Sequence, residues 1–393
     1  MPAETRASLS FHMATGPHPP TSCTQSRYST LLPLRSPSPP QVSRSRATIA
    51  IISPTPMLSM QDHTPENEYP TLERIRSTAT AIAPFINATP VQSWRERELE
   101  ALLGADTELF LKLELFQRSG SFKVRGVIAN MLALSRDALA RGVTAVSAGN
   151  HAIAVAYGAH ALGTSAKVVM LRSANPARVA AAEAYGAEVL IAPDGPTGFE
   201  MVERIAVEEQ RAFVHPFEGP LTALGSATLG LEVAEAMPDL DAVVVGVGGG
   251  GLAGGASAAI KLVQPRCRIY GVEPIGADSM HRSFAAGSPQ RLESIDTIAD
   301  SLAPPMSLPY SFALCRANLD QLVKVSDRQI RDAMGVLFRE MKLAVEPGGA
   351  AATAALLGPL AAELRGKRVV VIVCGSNIDL ATFNALMPTA DQR

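Results

Sequence analysis

From about Tyr69 onward, short apolar runs alternate with longer segments of helical polar–apolar pattern. The runs at residues 144–146, 166–171, 188–192, 242–247, 268–272, 322–325 and 368–373 are rich in Val and Ile and lack clean two-residue alternation. That pattern predicts strands buried on both faces. The intervening segments, such as 176–185 and 252–263, are Ala-rich and of helix length. Ser326-Asp327-Arg328-Gln329 has the spacing of a capping box and predicts a helix to about Lys342. Repeated strand–helix units predict an α/β fold with parallel sheets covered by helices. No repeat of fixed period is present.

The first sixty-odd residues break this pattern. Between Thr5 and Met60 there is no Asp, Glu or Lys, while Arg6, Arg27, Arg35, Arg44 and Arg46 stand among many Ser and Pro. Pro19-Pro20 and Pro37-Ser38-Pro39-Pro40 disfavour regular structure. Residues 1–65 therefore read as a disordered or targeting-like extension. Two readings remain open: an Arg- and Ser-rich organellar transit peptide, for mitochondrion or plastid, or an upstream extension before a start at Met57 or Met60. The remainder is expected in the cytoplasm. A net charge of −2 gives no reason to expect nucleic acid or an anionic membrane as partner. No apolar run reads as a bilayer-spanning helix. The four cysteines are widely spaced, forming neither a CxxC metal pattern nor a disulfide framework.

Four segments carry candidate chemistry. Lys123 sits between Phe122 and Arg125, just after the apolar run 109–116. Desolvation and a neighbouring positive charge both lower a lysine pKa, which makes the amine a nucleophile or base. Ser147-Ala148-Gly149-Asn150-His151 follows a strand and opens a helix, where free N–H groups and the helix dipole favour an anion such as a carboxylate. Gly246-Val247-Gly248-Gly249-Gly250-Gly251 also follows a strand. It fits GxGxxG, with Glu273 after the next strand where a dinucleotide fold keeps its ribose-binding acid, so a dinucleotide-dependent oxidoreductase is one reading. Four consecutive glycines favour another: several N–H groups converging on one phosphate. Cys374 ends the apolar run 368–373, at the carboxyl end where ligands gather in parallel sheets.

In this order the four segments resemble the serine/threonine dehydratases, pyridoxal-phosphate enzymes of the tryptophan-synthase β-like fold, from about Tyr69 to about Leu386. The resemblance implies two αβα sandwich domains: a large one formed by residues 66–144 plus 219–390, and a small inserted one, 145–218, with pyridoxal 5'-phosphate between them. It implies that Lys123 forms the Schiff base and serves as the Cα base, with Phe122 as an apolar wall. Asn150 would hold the cofactor's phenolic oxygen, Gly248, Gly249, Gly250 and Gly251 its phosphate, and Cys374 its pyridine nitrogen. Ser147, Ala148, Gly149, Asn150 and His151 would bind the substrate. Glu346, in Val345-Glu346-Pro347-Gly348-Gly349, also matches a motif near the cofactor. A homodimer or higher homo-oligomer is implied as well.

The expected activity is an ammonia-lyase that converts L-threonine, L-serine or a related β-hydroxy amino acid to a 2-oxo acid and ammonia. Dehydration of 3-hydroxyaspartate and racemisation are alternatives on the same cofactor. The related racemases carry a Ser immediately before the Gly-Asn of the substrate loop; here it is Ala148, which has no proton to give. The related divalent-cation site uses a Glu, a backbone carbonyl and an Asp at positions matching Glu273, Ala277 and Ser279. The last is a Ser here, although Asp278 is adjacent, so no metal site is assigned and binding of a divalent cation near Glu273 and Ala277 stays open. Asp300-Ser301-Leu302 also departs from the Asp-Gly common at this place.

Overall fold

The computed structural model describes residues 69–387. The extension expected over residues 1–65 lies outside them. Ten strands form two sheets: β1 (Val91–Ser93), β2 (Glu108–Leu113), β3 (Val143–Val146), β4 (Ala166–Leu171), β5 (Glu188–Ala192), β6 (Ala212–Phe213), β7 (Ala242–Gly246), β8 (Arg268–Pro274), β9 (Gln321–Val325) and β10 (Arg368–Val373). One sheet has the order β1-β2-β10-β7-β8-β9, and the other β5-β4-β3-β6. Only β1 runs antiparallel, against β2; every other pairing is parallel. All seven expected runs are strands, each within two residues of its expected ends. The α/β class with parallel sheets is as the pattern implied. The capping box is present too: Ser326 and Gln329 cap each other at the start of the helix Asp327–Met341.

The sequence pattern missed three features. β1 and β6 are too short to show a period. The apolar run 109–116 is not one strand: β2 stops at Leu113, and Glu114–Phe116 turns as a 3-10 helix that leaves Glu114 fully buried. Burial explains the runs that were legible. Every residue of β7 is buried, as are five of the six in β10, because these strands lie at the centre of their sheet with helices over both faces.

Three helices pack almost backbone to backbone. They are Lys123–Leu132, Pro220–Ala236 and Gly251–Val263, with Pro220–Ala236 in contact with both others. A Cβ on Gly225 would fall 2.5 Å from the Arg125 carbonyl oxygen and from Gly126 backbone atoms. One on Gly255 would fall 2.3 Å from the Ala223 carbonyl. Only glycine permits this approach, which fixes the helix that begins at Lys123 relative to the helix that begins at Gly251.

A buried charge cluster pins the same stack. Arg125 is fully buried. Its Nε and Nη2 donate to the two Glu114 oxygens at 2.8 Å each, and its Nη1 and Nη2 to the two Glu232 oxygens at 2.7 and 2.9 Å. A further bond from Nη1 reaches Thr228 Oγ1 at 3.0 Å, so all five guanidinium N–H groups are used. Lys112 Nζ donates to Glu232 Oε2 at 2.6 Å and to the Thr89 carbonyl at 2.8 Å. Two cations thus face two carboxylates. Burial alone would raise the Glu114 pKa, but the Arg125 guanidinium, with Lys112 and the Thr89 hydroxyl, more than offsets it and holds the carboxyl below its ordinary value.

Removing one partner of a buried pair leaves the others charged and unpaired, at a cost of about 3–5 kcal/mol. Arg125→Met should therefore lower the free energy of chemical unfolding by that order, with Arg125→Lys falling between the two because it has fewer donors. A stability for Arg125→Met within about 1 kcal/mol of the parent, below that range, would show that the cluster does not hold the stack.

Candidate active site

The lysine and cysteine segments are joined by backbone pairing. Phe122 N–H donates to the Cys374 carbonyl at 3.1 Å, Ser376 N–H donates to the Gly120 carbonyl at 3.0 Å, and Ser121 and Gly375 form a bridge. Lys123, the first residue of its helix, is thereby set beside the end of β10. Gly375 is the meeting point. A Cβ there would lie 2.8 Å from Glu346 Oε1, 3.2 Å from Ser121 Cβ and 3.3 Å from Asn150 Nδ2. Four segments distant in sequence converge on one α-carbon because it carries no side chain.

A cavity of about 420 Å³ opens at this junction. Phe122, Lys123, Asn150, Gly248 to Gly251, Glu346 and Cys374 all line it. Ser147 and Ala148 are half-buried in the turn after β3 and do not line it; Gly149 donates its N–H to Ser147 Oγ at 3.1 Å. His151 faces a second cavity, of about 260 Å³, which it shares with Lys123 and His215.

Burial lowers the Lys123 pKa to about 8, while Cys374 and Glu346 act in the opposite direction. Burial was one of the two causes expected from the sequence; the other, the neighbouring Arg125 charge, is not among those acting, and Arg125 is paired with Glu114 and Glu232. Lys123 Nζ donates to the Pro216 carbonyl at 2.6 Å. Burial pushes the Cys374 thiol up, so it is neutral at neutral pH, and its Sγ donates to the Gly348 carbonyl at 3.6 Å. Burial, with the Lys123 charge nearby, brings both His151 and His215 down to about 3, so both rings are neutral. His151 Nε2 lies 2.8 Å from the Val214 carbonyl and, in the neutral ring, donates to it.

The segment 214–217 is a part of the site that the sequence did not reveal. Val214 receives His151, Pro216 receives Lys123, and the Phe217 ring lies against the glycine loop. A Cβ on Gly249 would fall 2.2 Å from that ring. Arg178 was missed as well. It comes from the helix Pro176–Ala184, is 7% exposed, and donates from Nη2 to Glu346 Oε2 at 3.3 Å and from Nε to the Asn377 carbonyl at 2.7 Å. Its Nη1 donates to Asp300. Ion-pair spacing between residues so far apart in sequence leaves no local signal.

Glu273 is fully buried and accepts from the N–H groups of Met280 and His281 at 2.8 and 2.7 Å. It caps the helix Ser279–Ala286 and is not presented to a dinucleotide ribose. Nearby Asp278 is held by Arg282 and Lys324.

The residues around the larger cavity fit pyridoxal phosphate. A buried lysine with a lowered pKa supplies the amine. The glycine loop, with Gly250 at φ +94°, leads into the thirteen-residue helix Gly251–Val263, whose first-turn N–H groups have no intrahelical acceptor and suit a phosphate. The loop and the lysine line the same space.

Comparisons with known proteins agree. The family model for pyridoxal-phosphate-dependent enzymes matches residues 82–375. The chain is 53% identical over 314 residues to a phenylserine dehydratase of Ralstonia pickettii, covering 80% of this chain and 95% of that protein. It is 38% identical over 281 residues to an L-threonine ammonia-lyase of Thermotoga maritima, covering 71% and 70%. Among solved structures it is similar to maize serine racemase, with a TM-score of 0.76 and 34% identity, covering 80% of this chain and 95% of that one. Lysine, glycine loop, cavity and kinship agree: the chain belongs to the pyridoxal-phosphate-dependent enzymes of fold type II.

Proposed function

We propose that the protein is a pyridoxal-phosphate-dependent dehydratase that converts an L-β-hydroxy amino acid to a 2-oxo acid and ammonia. The observation that carries this reading is the shared cavity: one buried amine, one anion-binding glycine loop and one neutral thiol face the same space. Serine and threonine are the first substrates to try. Kinship with a phenylserine dehydratase adds serines bearing a β-aryl group.

Bound pyridoxal phosphate supplies an electron sink that acidifies the substrate's Cα–H bond. In this reading Lys123 carries the cofactor, then takes the Cα proton on its amine. Burial favours both roles, because it weakens the protonated form of the amine. The amides of Gly248, Gly249, Gly250 and Gly251 hold the phosphate, and Phe122 walls the ring. Asn150 would hold the cofactor's phenolic oxygen. The Cys374 thiol, neutral in its buried setting, would hold the pyridine nitrogen without offering it a compensating negative charge. The turn from Ser147 to His151 receives the substrate carboxylate. The same reading makes residues 145–218 an inserted domain, which the separate sheet from β3 to β6 supports. It also makes the protein a homo-oligomer of the cytoplasm, testable by sedimentation and by cell fractionation. Among the described residues no helix is long and apolar enough to cross a membrane.

Lys123→Ala is expected to lose the visible absorption of the purified protein and to lower turnover by several orders of magnitude, with the melting temperature of the apoprotein retained. Substantial remaining activity would remove Lys123 from the mechanism. The wild-type apoprotein should take up the cofactor faster as pH rises, levelling off above about 8, where the amine is deprotonated. A rate still climbing steeply above pH 10 would show an ordinary, solvated lysine.

Ala148 bears on the choice between elimination and racemisation through its place in the substrate loop, although it does not line the cavity itself. Racemisation needs a second proton donor on the Cα face opposite Lys123, and the Ala148 methyl group has no proton to give. L-Serine and L-threonine should therefore yield 2-oxo acid and ammonia with little D-amino acid, as read by chiral chromatography. D-Serine formed as fast as pyruvate would place the second donor elsewhere, with Ser147 the first residue to test.

A further inference from the structure

Asn150 has both ends of its side-chain amide occupied. Its Nδ2 donates to Glu346 Oε1 at 2.6 Å, and its Oδ1 accepts from Asn377 Nδ2 at 2.7 Å. The second Asn377 amide proton goes to the Ser119 carbonyl at 2.8 Å, which fixes the orientation of the Asn377 amide. Arg178 touches both supports: Glu346 through its side chain and Asn377 through its backbone carbonyl. The guanidinium also packs behind the turn that carries Asn150. A Cβ on Gly149 would fall 2.9 Å from Arg178 Nη1. Asn175, three residues earlier on the same helix, fastens it further through Asp379 and Thr382.

We infer that Arg178 is a positioning residue: it keeps Glu346 ionised, and the Glu346 carboxylate sets the orientation of the Asn150 amide in the cavity. This deepens the dehydratase reading and rests on it, since it takes Asn150 to face the cofactor ring.

The chemistry follows from the donor set. Every side chain bonded to Glu346 donates to it: Asn150 and Ser301 to Oε1, Arg178 to Oε2. A carboxylate accepts all three. A protonated carboxyl would bring a donor of its own and lose one of these bonds, and the Asn150 amide would then gain by turning over. Glu346 is fully buried, and burial raises its pKa; Arg178 works against that rise and Asp300 adds to it. The other ionisable groups facing it are Lys123 and the Cys374 thiol. Arg178 is the only full-time cation in this set, so its loss moves Glu346 further toward the protonated form. The sign is then determined. A group that must be ionised gives an acidic limb, and raising its pKa moves that limb to higher pH.

The test compares Arg178→Met, Arg178→Lys, Glu346→Gln and the double variant Arg178→Met/Glu346→Gln, all as full-length protein. Two quantities are measured from pH 6 to 9: the turnover number on the best L-β-hydroxy amino acid, and the dissociation constant of pyridoxal phosphate from the apoprotein by absorbance titration. Arg178→Met should show at least tenfold lower turnover at pH 7, an acidic limb displaced upward by a pH unit or more, and a cofactor dissociation constant weakened at pH 7 but recovering toward pH 9. Arg178→Lys should keep the limb near its wild-type position. In the Glu346→Gln background Arg178→Met should change turnover by less than threefold. An unchanged limb in Arg178→Met, or a loss of equal size in both backgrounds, overturns the inference and leaves Arg178 a packing residue. If Arg178→Met fails to fold, Arg178→Lys decides instead: a limb displaced upward by a pH unit or more despite the retained cation overturns the inference. Failure of the dehydratase reading would look different, as a wild-type protein that binds the cofactor without forming 2-oxo acid.

Discussion

Everything at the site depends on where the helix Lys123–Leu132 begins, and the buried Arg125 cluster determines that. Arg125 lies two residues after Lys123, in the first turn of the helix. Its bonds reach back to Glu114 at the end of β2 and across to Thr228 and Glu232 on the helix Pro220–Ala236. The planar guanidinium fixes orientation as well as distance, since two carboxylates grip it in bidentate fashion. The glycine contacts at Gly225 and Gly255 then carry the placement on to the helix Gly251–Val263, whose N-terminus closes the cavity. Lysine and glycine loop are thus held in register by one stack of three helices. Such a cluster is costly to assemble, because four charges lose water. Its return is the position of an amine that needs to be placed to a fraction of an ångström.

Much of this was legible in the chain. Strands buried on both faces leave continuous Val/Ile runs, and all seven such runs are strands. The capping box is a local device and was read correctly as one. Lys123, Asn150, the four glycines and Cys374 stand in segments of distinctive local composition, and they do line one cavity. What the sequence concealed is long-range. Of the two causes expected for a lowered Lys123 pKa, burial acts and the Arg125 charge does not. In space Arg125 is neutralised by partners up to 107 residues away, and burial does the work. The strap at 214–217 and the hub at Arg178 act through contacts with residues dozens to hundreds of positions distant, and no period or spacing encodes those. His151 looked like part of the carboxylate turn, yet its ring points to the Val214 carbonyl and the smaller cavity.

The site also separates charge from neutrality. Three of the groups around the lysine are neutral: His151 and His215 are stripped of protons by burial, and the Cys374 thiol keeps its proton for the same reason, while Glu346 acts on the lysine as a charge. The full charges gather around Asn150, where Arg178, Asp300 and Glu346 meet. These neutral neighbours leave burial as the largest influence on the lysine's proton, with Glu346 working against it. A charged surrounding does the opposite for Asn150: it makes one amide orientation far better than the other. The two halves of the site therefore use burial differently, one to free a proton and the other to immobilise a dipole.

Gly375 is where these halves touch, and it shows why they cannot be tuned independently. Its α-carbon is bounded by the lysine segment through Ser121, by Glu346 and by Asn150, all within 3.3 Å of the position a Cβ would occupy. Its carbonyl also accepts from the Glu346 N–H at 3.4 Å. Any side chain here would push the carboxylate away from Asn150 and strain the pairing that seats Lys123 beside Cys374. A change made to loosen the charged half is thus transmitted to the neutral half through the backbone, with no side chain available to absorb it. The cavity wall at Ser301 and Leu302 is tied to the same junction, since Ser301 Oγ donates to Glu346 Oε1 at 3.2 Å. That wall is also where the chain departs from the Asp-Gly common in the enzymes it resembles.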